Sequence, residues 1–167
     1  MKVYDSRFNS EVSRLEEDQN DLPGVYKLQT RITLECAHRL YDVNTYSEEC
    51  RNNIHGHSYA LTLVVSRSEL NEASMIIDFK LLKKLLKAEI EDVYDHSCIV
   101  KRSDPLAPAL VANCKKVHIV DENPTAEWMC KHFADLVQKG LDAIDPKVRV
   151  VSVAVQETEN NIAIYEV

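Results

Sequence analysis

Residues 26–36, YKLQTRITLEC, alternate between two kinds of side chain along their whole length. The even-numbered positions are mostly apolar, and the odd-numbered positions are polar or charged. Because successive side chains of a strand point to opposite faces, this pattern predicts a strand with one buried face. Residues 57–67, HSYALTLVVSR, repeat the pattern, with apolar residues at every second position from Tyr59 to Val65. Two such strands in succession predict an antiparallel pair.

Two helices are predicted downstream. Asp78 precedes a stretch with apolar residues at helical spacing, and its short carboxylate suits the N-cap of an amphipathic helix. Thr125 directly follows Pro124 and opens a second stretch of the same kind. Proline next to a capping residue is typical of a helix start. Both helices therefore have a predicted first residue as well as a predicted apolar face.

The rest of the chain completes the fold class. Residues 149–156 and 162–167 alternate again and predict two more strands. Residues 97–115 show no regular pattern and are expected to be irregular, and residues 116–120 fit a short strand. Strands at both ends of the chain with two helices between them predict an α+β fold, an antiparallel four-stranded sheet with two helices on one face.

Composition narrows the class of protein. The chain has 167 residues, of which 45% are hydrophobic and 28% charged, as in one globular domain. We expect a polar N-terminal arm over residues 1–25 and a single domain over residues 26–167. No apolar run suits a membrane span or a signal peptide, so we expect a cytoplasmic protein without a membrane partner. The net charge of −7 disfavours nucleic acid, and five irregularly spaced cysteines fit reduced thiols.

Three histidines form the candidate metal site. His55 and His57 are two residues apart at the start of a strand, so their side chains point to the same face. His38 ends the preceding strand, and antiparallel pairing brings it close to both. Three imidazoles on rigid strands suit zinc, with a fourth position open for substrate or water. An isolated His-x-His pair is more often an ordinary loop feature, so the third histidine is what favours a metal.

Three further positions are candidates for the chemistry. Cys50 lies in a polar segment just before the histidine pair, where a thiol beside a bound cation could act as a base or nucleophile. It could also be a fourth ligand or an unreactive loop thiol. Asp95 could orient His96 for proton transfer, although a solvated helix end is the alternative. Glu157 ends an apolar strand and could accept two hydrogen bonds from a guanidine-like heterocycle, or simply face solvent.

Six short motifs occur in order along the chain: Cys36-Ala-His38-Arg-Leu, His55-Gly-His57-Ser-Tyr, Ile77-Asp78-Phe79, Tyr94-Asp95-His96, Asn123-Pro124-Thr125-Ala-Glu127 and Gln156-Glu157-Thr158. This series resembles that of the 6-pyruvoyl-tetrahydropterin synthase and 6-carboxytetrahydropterin synthase family. The resemblance runs from about Tyr26 to Val167. Each motif alone is weak evidence for the family, whereas all six in this order are specific to it.

The resemblance implies a role for each candidate residue. His38, His55 and His57 match the zinc ligands. Cys50 matches the catalytic cysteine, and Asp95 and His96 match a dyad that assists proton transfer. Glu157 matches the carboxylate that anchors the pterin ring, and Thr125 and Glu127 match a second contact near that ring.

The resemblance also implies an assembly. The family has the tunnelling fold, in which subunits form rings, the sheet closes into a barrel and sites lie at subunit interfaces. We therefore expect a homo-oligomer, a hexamer of two trimeric rings. Because Glu157 and Thr125 are distant in sequence from the histidines, they could come from a neighbouring chain.

The substrate that the resemblance implies is 7,8-dihydroneopterin triphosphate. We expect a zinc-dependent lyase that converts this substrate into 6-carboxy-5,6,7,8-tetrahydropterin with loss of acetaldehyde and triphosphate. This product leads towards queuosine-type 7-deazaguanine nucleosides. We favour it because the chain looks like the longer bacterial members of the family. Four residues separate Cys50 from His55, between the spacings typical of carboxy-forming and pyruvoyl-forming enzymes. The pyruvoyl-forming reaction therefore stays an alternative, as does a zinc pterin-binding relative with little catalysis. Glu48 or Glu49 could also replace Cys50 as the base.

Overall fold

The computed structural model of the chain describes residues 24–45 and 47–167. The predicted polar arm, residues 1–25, lies outside these residues except for its last two positions. Among the helices of the described part, none combines the length and the apolar character needed to cross a bilayer.

Six strands form one mixed sheet. They are β1 (Tyr26–Arg39), β2 (His55–Arg67), β3 (Ser97–Lys101), β4 (Val117–Val120), β5 (Arg149–Gln156) and β6 (Ile162–Glu166). Their order in space is β4-β3-β1-β2-β5-β6. The β1–β2, β2–β5 and β5–β6 pairs are antiparallel, whereas the β1–β3 and β3–β4 pairs are parallel. The long β1–β2 pair runs in unbroken register from Tyr26 opposite Arg67 to His38 opposite His55.

The prediction of a four-stranded antiparallel sheet describes only part of this sheet. β1, β2, β5 and β6 are the four antiparallel strands, but β3 lies within the segment predicted to be irregular. Its neighbouring residues Ile99 and Val100 are both fully buried. A strand covered on both faces loses the alternation of apolar and polar residues that reveals a half-buried strand. The same segment also contains a short helix, so the prediction for residues 97–115 is wrong.

The helices follow the predicted starts. They are α1 (Glu48–Asn52), α2 (Phe79–Leu86), α3 (Asp92–Tyr94), α4 (Ala107–Asn113) and α5 (Ala126–Ile144), with one π-helical turn (Lys87–Glu91) joining α2 to α3. The Asp78 carboxylate accepts a hydrogen bond from the Lys80 amide at 2.6 Å. The Thr125 hydroxyl accepts one from the Trp128 amide at 3.2 Å. The predicted cap Asp78 is confirmed, and Thr125, predicted to start the second helix, is its N-cap.

The core lies between one face of the sheet and the α2 and α5 helices. It contains Leu34, Leu61, Leu63, Val65, Val153, Leu82, Leu86, Phe133, Val137 and Leu141. The two helices approach closely because Gly140 of α5 has no side chain, since a Cβ there would overlap with the side chain of Leu85. The histidine-bearing ends of β1 and β2 lie at one edge of this core.

Candidate active site

The three predicted metal ligands converge. The β1–β2 register places His38 directly opposite His55, and His57 lies opposite Cys36 on the same face. One ring nitrogen of each histidine lies within 4.8 Å of those of the other two. The closest approach is 3.0 Å, between Nε2 of His38 and Nε2 of His55. Rigid pairing of two strands therefore creates the cluster.

Hydrogen bonds on the outer ring nitrogens fix the tautomers. Nδ1 of His38 lies 2.7 Å from the carbonyl oxygen of Pro124, and Nδ1 of His55 lies 3.1 Å from that of Asn53. A carbonyl only accepts, so each Nδ1 must carry the proton and each Nε2 keeps a free lone pair. Burial lowers the pKa of His38, which favours the neutral imidazole that metals bind.

The three inner nitrogens face one another, and one of them lacks a hydrogen-bond partner among the described residues. Nε2 of His57 is buried and has no hydrogen-bond partner among the described residues. Burying an unpaired polar atom is costly, and lone pairs that face one another repel. A bound cation would satisfy all three nitrogens at once. The cluster can therefore bind a metal ion.

A loop far along the chain supports His38. The side chain of Asn123 accepts a hydrogen bond from the Tyr41 amide at 2.8 Å and donates one to the Tyr41 carbonyl at 3.0 Å. This double contact fixes the loop just before Thr125, so that the Pro124 carbonyl faces His38. From the sequence, this segment is predicted only to start a helix, and the family resemblance adds a pterin contact. The contact between Pro124 and His38 spans 86 positions, and no local pattern reveals it.

A tyrosine and a carboxylate complete the surroundings of the cluster. Oε1 of Glu157 lies 3.6 Å from Nε2 of both His38 and His57. The Tyr59 hydroxyl donates to that oxygen at 3.3 Å and also lies 3.3 Å from Nε2 of His38. Burial raises the pKa of Tyr59, so its hydroxyl stays protonated and can donate. The sequence pattern placed Tyr59 on the apolar face of β2, which is also the face of His55 and His57, but it predicted no role for the hydroxyl.

His38 and Glu157 open onto one cavity of about 540 Å³. Its lining includes His38, Thr125, Glu127, Glu157 and Asn161. The expectation that Glu157 and Thr125 could come from a neighbouring chain is therefore not needed, because both reach the cavity of His38 within one chain. Loops at the ends of β5 and at the start of α5 bring them there.

Cys50 lies on the short helix α1, beside the end of β1. It is half-buried, and its carbonyl accepts a hydrogen bond from the Leu40 amide at 3.4 Å. The Ser47 hydroxyl caps the helix by accepting from the Cys50 amide at 3.4 Å. Cys50 is not part of the lining of the His38 cavity.

The Asp95–His96 pair is formed, with Nδ1 of His96 2.7 Å from the carboxylate. The Glu35 amide donates to the other carboxylate oxygen at 2.8 Å. That hydrogen bond, and secondarily His96, lowers the pKa of Asp95. His96 has a positive φ of 59°, a conformation that costs free energy for a residue other than glycine. The imidazole lines a separate cavity of about 450 Å³, with Lys115 and Lys116.

Comparison with known proteins assigns the chain to a family. The family model described as "6-pyruvoyl tetrahydropterin synthase" matches residues 27–167. The 6-carboxy-5,6,7,8-tetrahydropterin synthase of Aquifex aeolicus is 33% identical, over 84% of this chain and 98% of the relative. The enzyme of the same name from Rickettsia conorii is 29% identical, over 80% of this chain and 95% of the relative.

Solved structures show the same fold at lower identity. An uncharacterized protein from Wolinella succinogenes superposes with a TM-score of 0.73 and 20% identity, covering 86% of this chain and 98% of that one. The 6-pyruvoyltetrahydropterin synthase of Plasmodium vivax superposes with a TM-score of 0.63 and 15% identity, covering 85% and 97%. Together with the family match over residues 27–167, these likenesses lead to one conclusion: the chain belongs to the 6-pyruvoyl tetrahydropterin synthase family.

Proposed function

We propose that this protein is a cytoplasmic 6-carboxy-5,6,7,8-tetrahydropterin synthase. It would convert 7,8-dihydroneopterin triphosphate into 6-carboxy-5,6,7,8-tetrahydropterin with loss of acetaldehyde and triphosphate. This reaction is a step towards queuosine-type 7-deazaguanine nucleosides. The observation that carries the proposal is the convergence of three imidazole nitrogens beside Glu157. The name shared by the relatives from Aquifex and Rickettsia supports this choice of product.

Zinc is the metal that we propose for the histidine cluster. Three neutral imidazoles with one open position are the ligand set of many catalytic zinc sites. The buried and unpartnered Nε2 of His57 fits such an ion. When bound, zinc would supply a Lewis acid that makes the hydroxyls of the substrate side chain more acidic.

The cavity residues would bind and orient the pterin. The Glu157 carboxylate can accept two parallel hydrogen bonds from the guanidine-like edge of the ring. Tyr59 donates to Oε1 of Glu157 and so fixes the orientation of that carboxylate. Thr125 and Glu127 line the same cavity and offer a second contact near the ring.

Proton transfer is assigned to three residues. Cys50 would remove a proton from a carbon of the substrate side chain. His96 would relay protons, with its ring held by the Asp95 carboxylate at 2.7 Å. The Glu35 amide holds Asp95 in turn, so the ring orientation of His96 is fixed from the backbone of β1.

The pyruvoyl-forming reaction is the second candidate. Glu157 to Asn161 read Glu-Thr-Glu-Asn-Asn, which resembles the C-terminal pattern of the pyruvoyl-forming enzymes. Both reactions use the same substrate, so the product alone distinguishes them.

The decisive test is to incubate the zinc-loaded protein with 7,8-dihydroneopterin triphosphate and to identify the product by mass spectrometry. The proposal expects 6-carboxytetrahydropterin together with acetaldehyde. A 6-pyruvoyl product without acetaldehyde would replace it with the second candidate. Neither product, from protein with one zinc per chain, would support a pterin-binding relative. His38→Ala, His55→Ala and His57→Ala should each lose tight zinc binding, and full zinc content in all three would overturn the metal assignment.

We also propose that residues 26–167 act as one domain in a homohexamer of two trimeric rings, in which the sheets close into a barrel. β4 and β6 are the open edges of the sheet, and such edges invite pairing with other chains. Ile162 and Ile164 on β6 are 55% and 65% exposed. Contact between chains would cover this apolar strip.

The assembly would also explain why His96 and His38 of the histidine cluster line different cavities within one chain. If Cys50 of one chain acts with His96 of the next, mixing inactive Cys50→Ala and His96→Ala proteins should restore part of the activity once subunits exchange. Light scattering should show the oligomer. A fully active monomer at micromolar concentration would refute both the ring and the shared site.

A further inference from the structure

The helix that carries Cys50 has little to hold it in place. α1 has five residues, none of which is buried. So short a helix is not stable alone in water. Its position must therefore depend on hydrogen bonds to neighbouring segments.

Arg39 connects α1 to the end of β1. This residue follows the metal ligand His38, and its side chain is only 12% exposed. Its Nε donates to the Arg51 carbonyl on α1 at 3.3 Å. The adjacent Leu40 amide donates to the Cys50 carbonyl at 3.4 Å. The end of β1 thus holds the last turn of α1 at two consecutive carbonyls.

Arg39 is itself fixed by a buried carboxylate. One of its terminal nitrogens donates to Oδ1 of Asp104 at 2.6 Å, and the Asp104 side chain is fully buried. The Leu106 amide donates to the same oxygen at 2.8 Å. The Asp104 backbone is held as well, since its amide donates to the Lys101 carbonyl at 2.9 Å and its carbonyl accepts from the Ala107 amide at 3.0 Å.

The Arg39–Asp104 ion pair is better suited to fixing the position of α1 than to stabilising the fold. A buried ion pair can often be replaced by apolar residues without loss of stability, whereas it fixes a particular arrangement of the chain. Oδ2 of Asp104 is buried with no hydrogen-bond partner among the described residues. The planar guanidinium also offers donors in a rigid fork, which suits two acceptors on different segments.

We propose that Arg39 and Asp104 are positioning residues that hold α1, and with it the Cys50 thiol, in place relative to the metal ligand His38. The inference rests on the proposed role of Cys50 as the catalytic base. Neither Arg39 nor Asp104 belongs to the histidine cluster or to the lining of the His38 cavity. They act on the reaction only through the location of α1.

Arg39→Lys is the principal test, because lysine keeps the positive charge near Asp104 but lacks the Nε donor that reaches Arg51. We expect kcat to fall by about 10- to 100-fold, since small displacements of catalytic groups cost this much. KM and zinc content should stay at wild-type values. Asp104→Asn should change kcat in the same direction and serves as the second variant if Arg39→Lys folds poorly.

A second readout needs no substrate. Alkylation by iodoacetamide can be followed at each cysteine by mass spectrometry, with the exposed Cys114 as internal reference. Freeing α1 should raise the rate at Cys50 relative to Cys114 by about threefold or more, because local opening exposes the thiol. Arg67→Lys is the matched control, since Arg67 forms a similar pair with Asp145 at the opposite end of β2 from His55.

The control should lose stability while its kcat and its Cys50 labelling stay unchanged. If Arg39→Lys and Asp104→Asn both left labelling and kcat at wild-type values, or if Arg67→Lys changed them equally, the positioning role would be wrong. Should the wild-type protein show no turnover, the proposed function would fail, and the labelling experiment would still decide whether the pair holds α1.

Discussion

Replacing Tyr59 by phenylalanine should weaken the hold on the pterin while the metal stays bound. The hydroxyl makes two contacts, with Oε1 of Glu157 and with Nε2 of His38, each at 3.3 Å. A metal ion would occupy the lone pair of His38, which leaves Glu157 as the partner of the hydroxyl in the loaded protein. Phenylalanine fills the same buried space and opens no cavity. The variant therefore removes one hydrogen bond to a carboxylate and little else.

The size of the effect follows from this contact. Hydrogen bonds to charged groups contribute about 1.5–3 kcal/mol. At 3.3 Å this one is longer than a typical hydroxyl–oxygen bond, so the lower figure applies. A loss of about 1.4 kcal/mol is a factor of ten. Because this hydrogen bond also exists in the free protein, we expect kcat/KM to fall by up to about tenfold. Because Glu157 would hold the pterin in both the ground state and the transition state, most of the loss should appear in KM.

The assay is steady-state turnover of dihydroneopterin triphosphate, with zinc content measured on the same samples. Tyr94→Phe is the matched control, since that hydroxyl lies 2.6 Å from Nε2 of His132, in a different part of the core. The control should lose stability and keep its kcat/KM. An unchanged kcat/KM for Tyr59→Phe, or an equal loss in both variants, would refute the reasoning.

Three further predictions concern the supporting loop, the base and the pH dependence. Asn123→Ala frees the loop that presents the Pro124 carbonyl to His38 and should weaken zinc binding by about 10- to 100-fold, as measured by chelator competition. Cys50→Ala should keep zinc and pterin but lose about a thousandfold or more in turnover, because it removes the base alone. Burial lowers the pKa of His132, so the zinc-free protein should lose stability as pH falls below the unfolded value of about 6.5, by at most about 1.4 kcal/mol per pH unit from this residue.

Each of these three predictions has an outcome that would contradict it. Wild-type zinc affinity in Asn123→Ala would show that the Pro124 carbonyl does not orient His38. Near-normal turnover in Cys50→Ala would direct attention to Glu48, Glu49 or another cysteine. For the pH dependence, chemical denaturation of His132→Gln should show a shallower decline than wild type between pH 6.5 and the lower folded pKa, and identical declines would contradict the assignment to His132.

The sequence allowed prediction of those features that depend on local periodicity. The alternation of apolar and polar residues predicted both β1 and β2, and antiparallel pairing of the two strands was enough to bring His38 beside His55 and His57. The same rule failed for β3, whose Ile99 and Val100 are both buried because neighbouring elements cover both faces. An alternating pattern indicates a strand that is buried on one face. It is absent from a strand that is buried on both faces.

Contacts between distant segments could not be predicted from the sequence, for a different reason. The bonds from Tyr59 to Glu157 and from His38 to Pro124 span 98 and 86 positions. No local spacing encodes such pairs. The motif that contains Pro124 was recognised in the sequence, but its part in orienting His38 emerged only from the packing of its loop against Tyr41. Cys50 was likewise visible as a residue, whereas the short helix that carries it was not.

The 86-position span between His38 and the Pro124 carbonyl also bears on how the protein is made. A ribosome synthesises the chain from its N-terminus, so all three histidines emerge well before Pro124 and Glu157. Until those residues follow, the His38 ring has no acceptor to set its tautomer, and the nascent chain can offer only loosely oriented imidazoles. If the cluster binds a metal ion, tight binding should therefore wait until Pro124 and Glu157 have been synthesised, and truncated chains that lack these residues should bind the ion poorly.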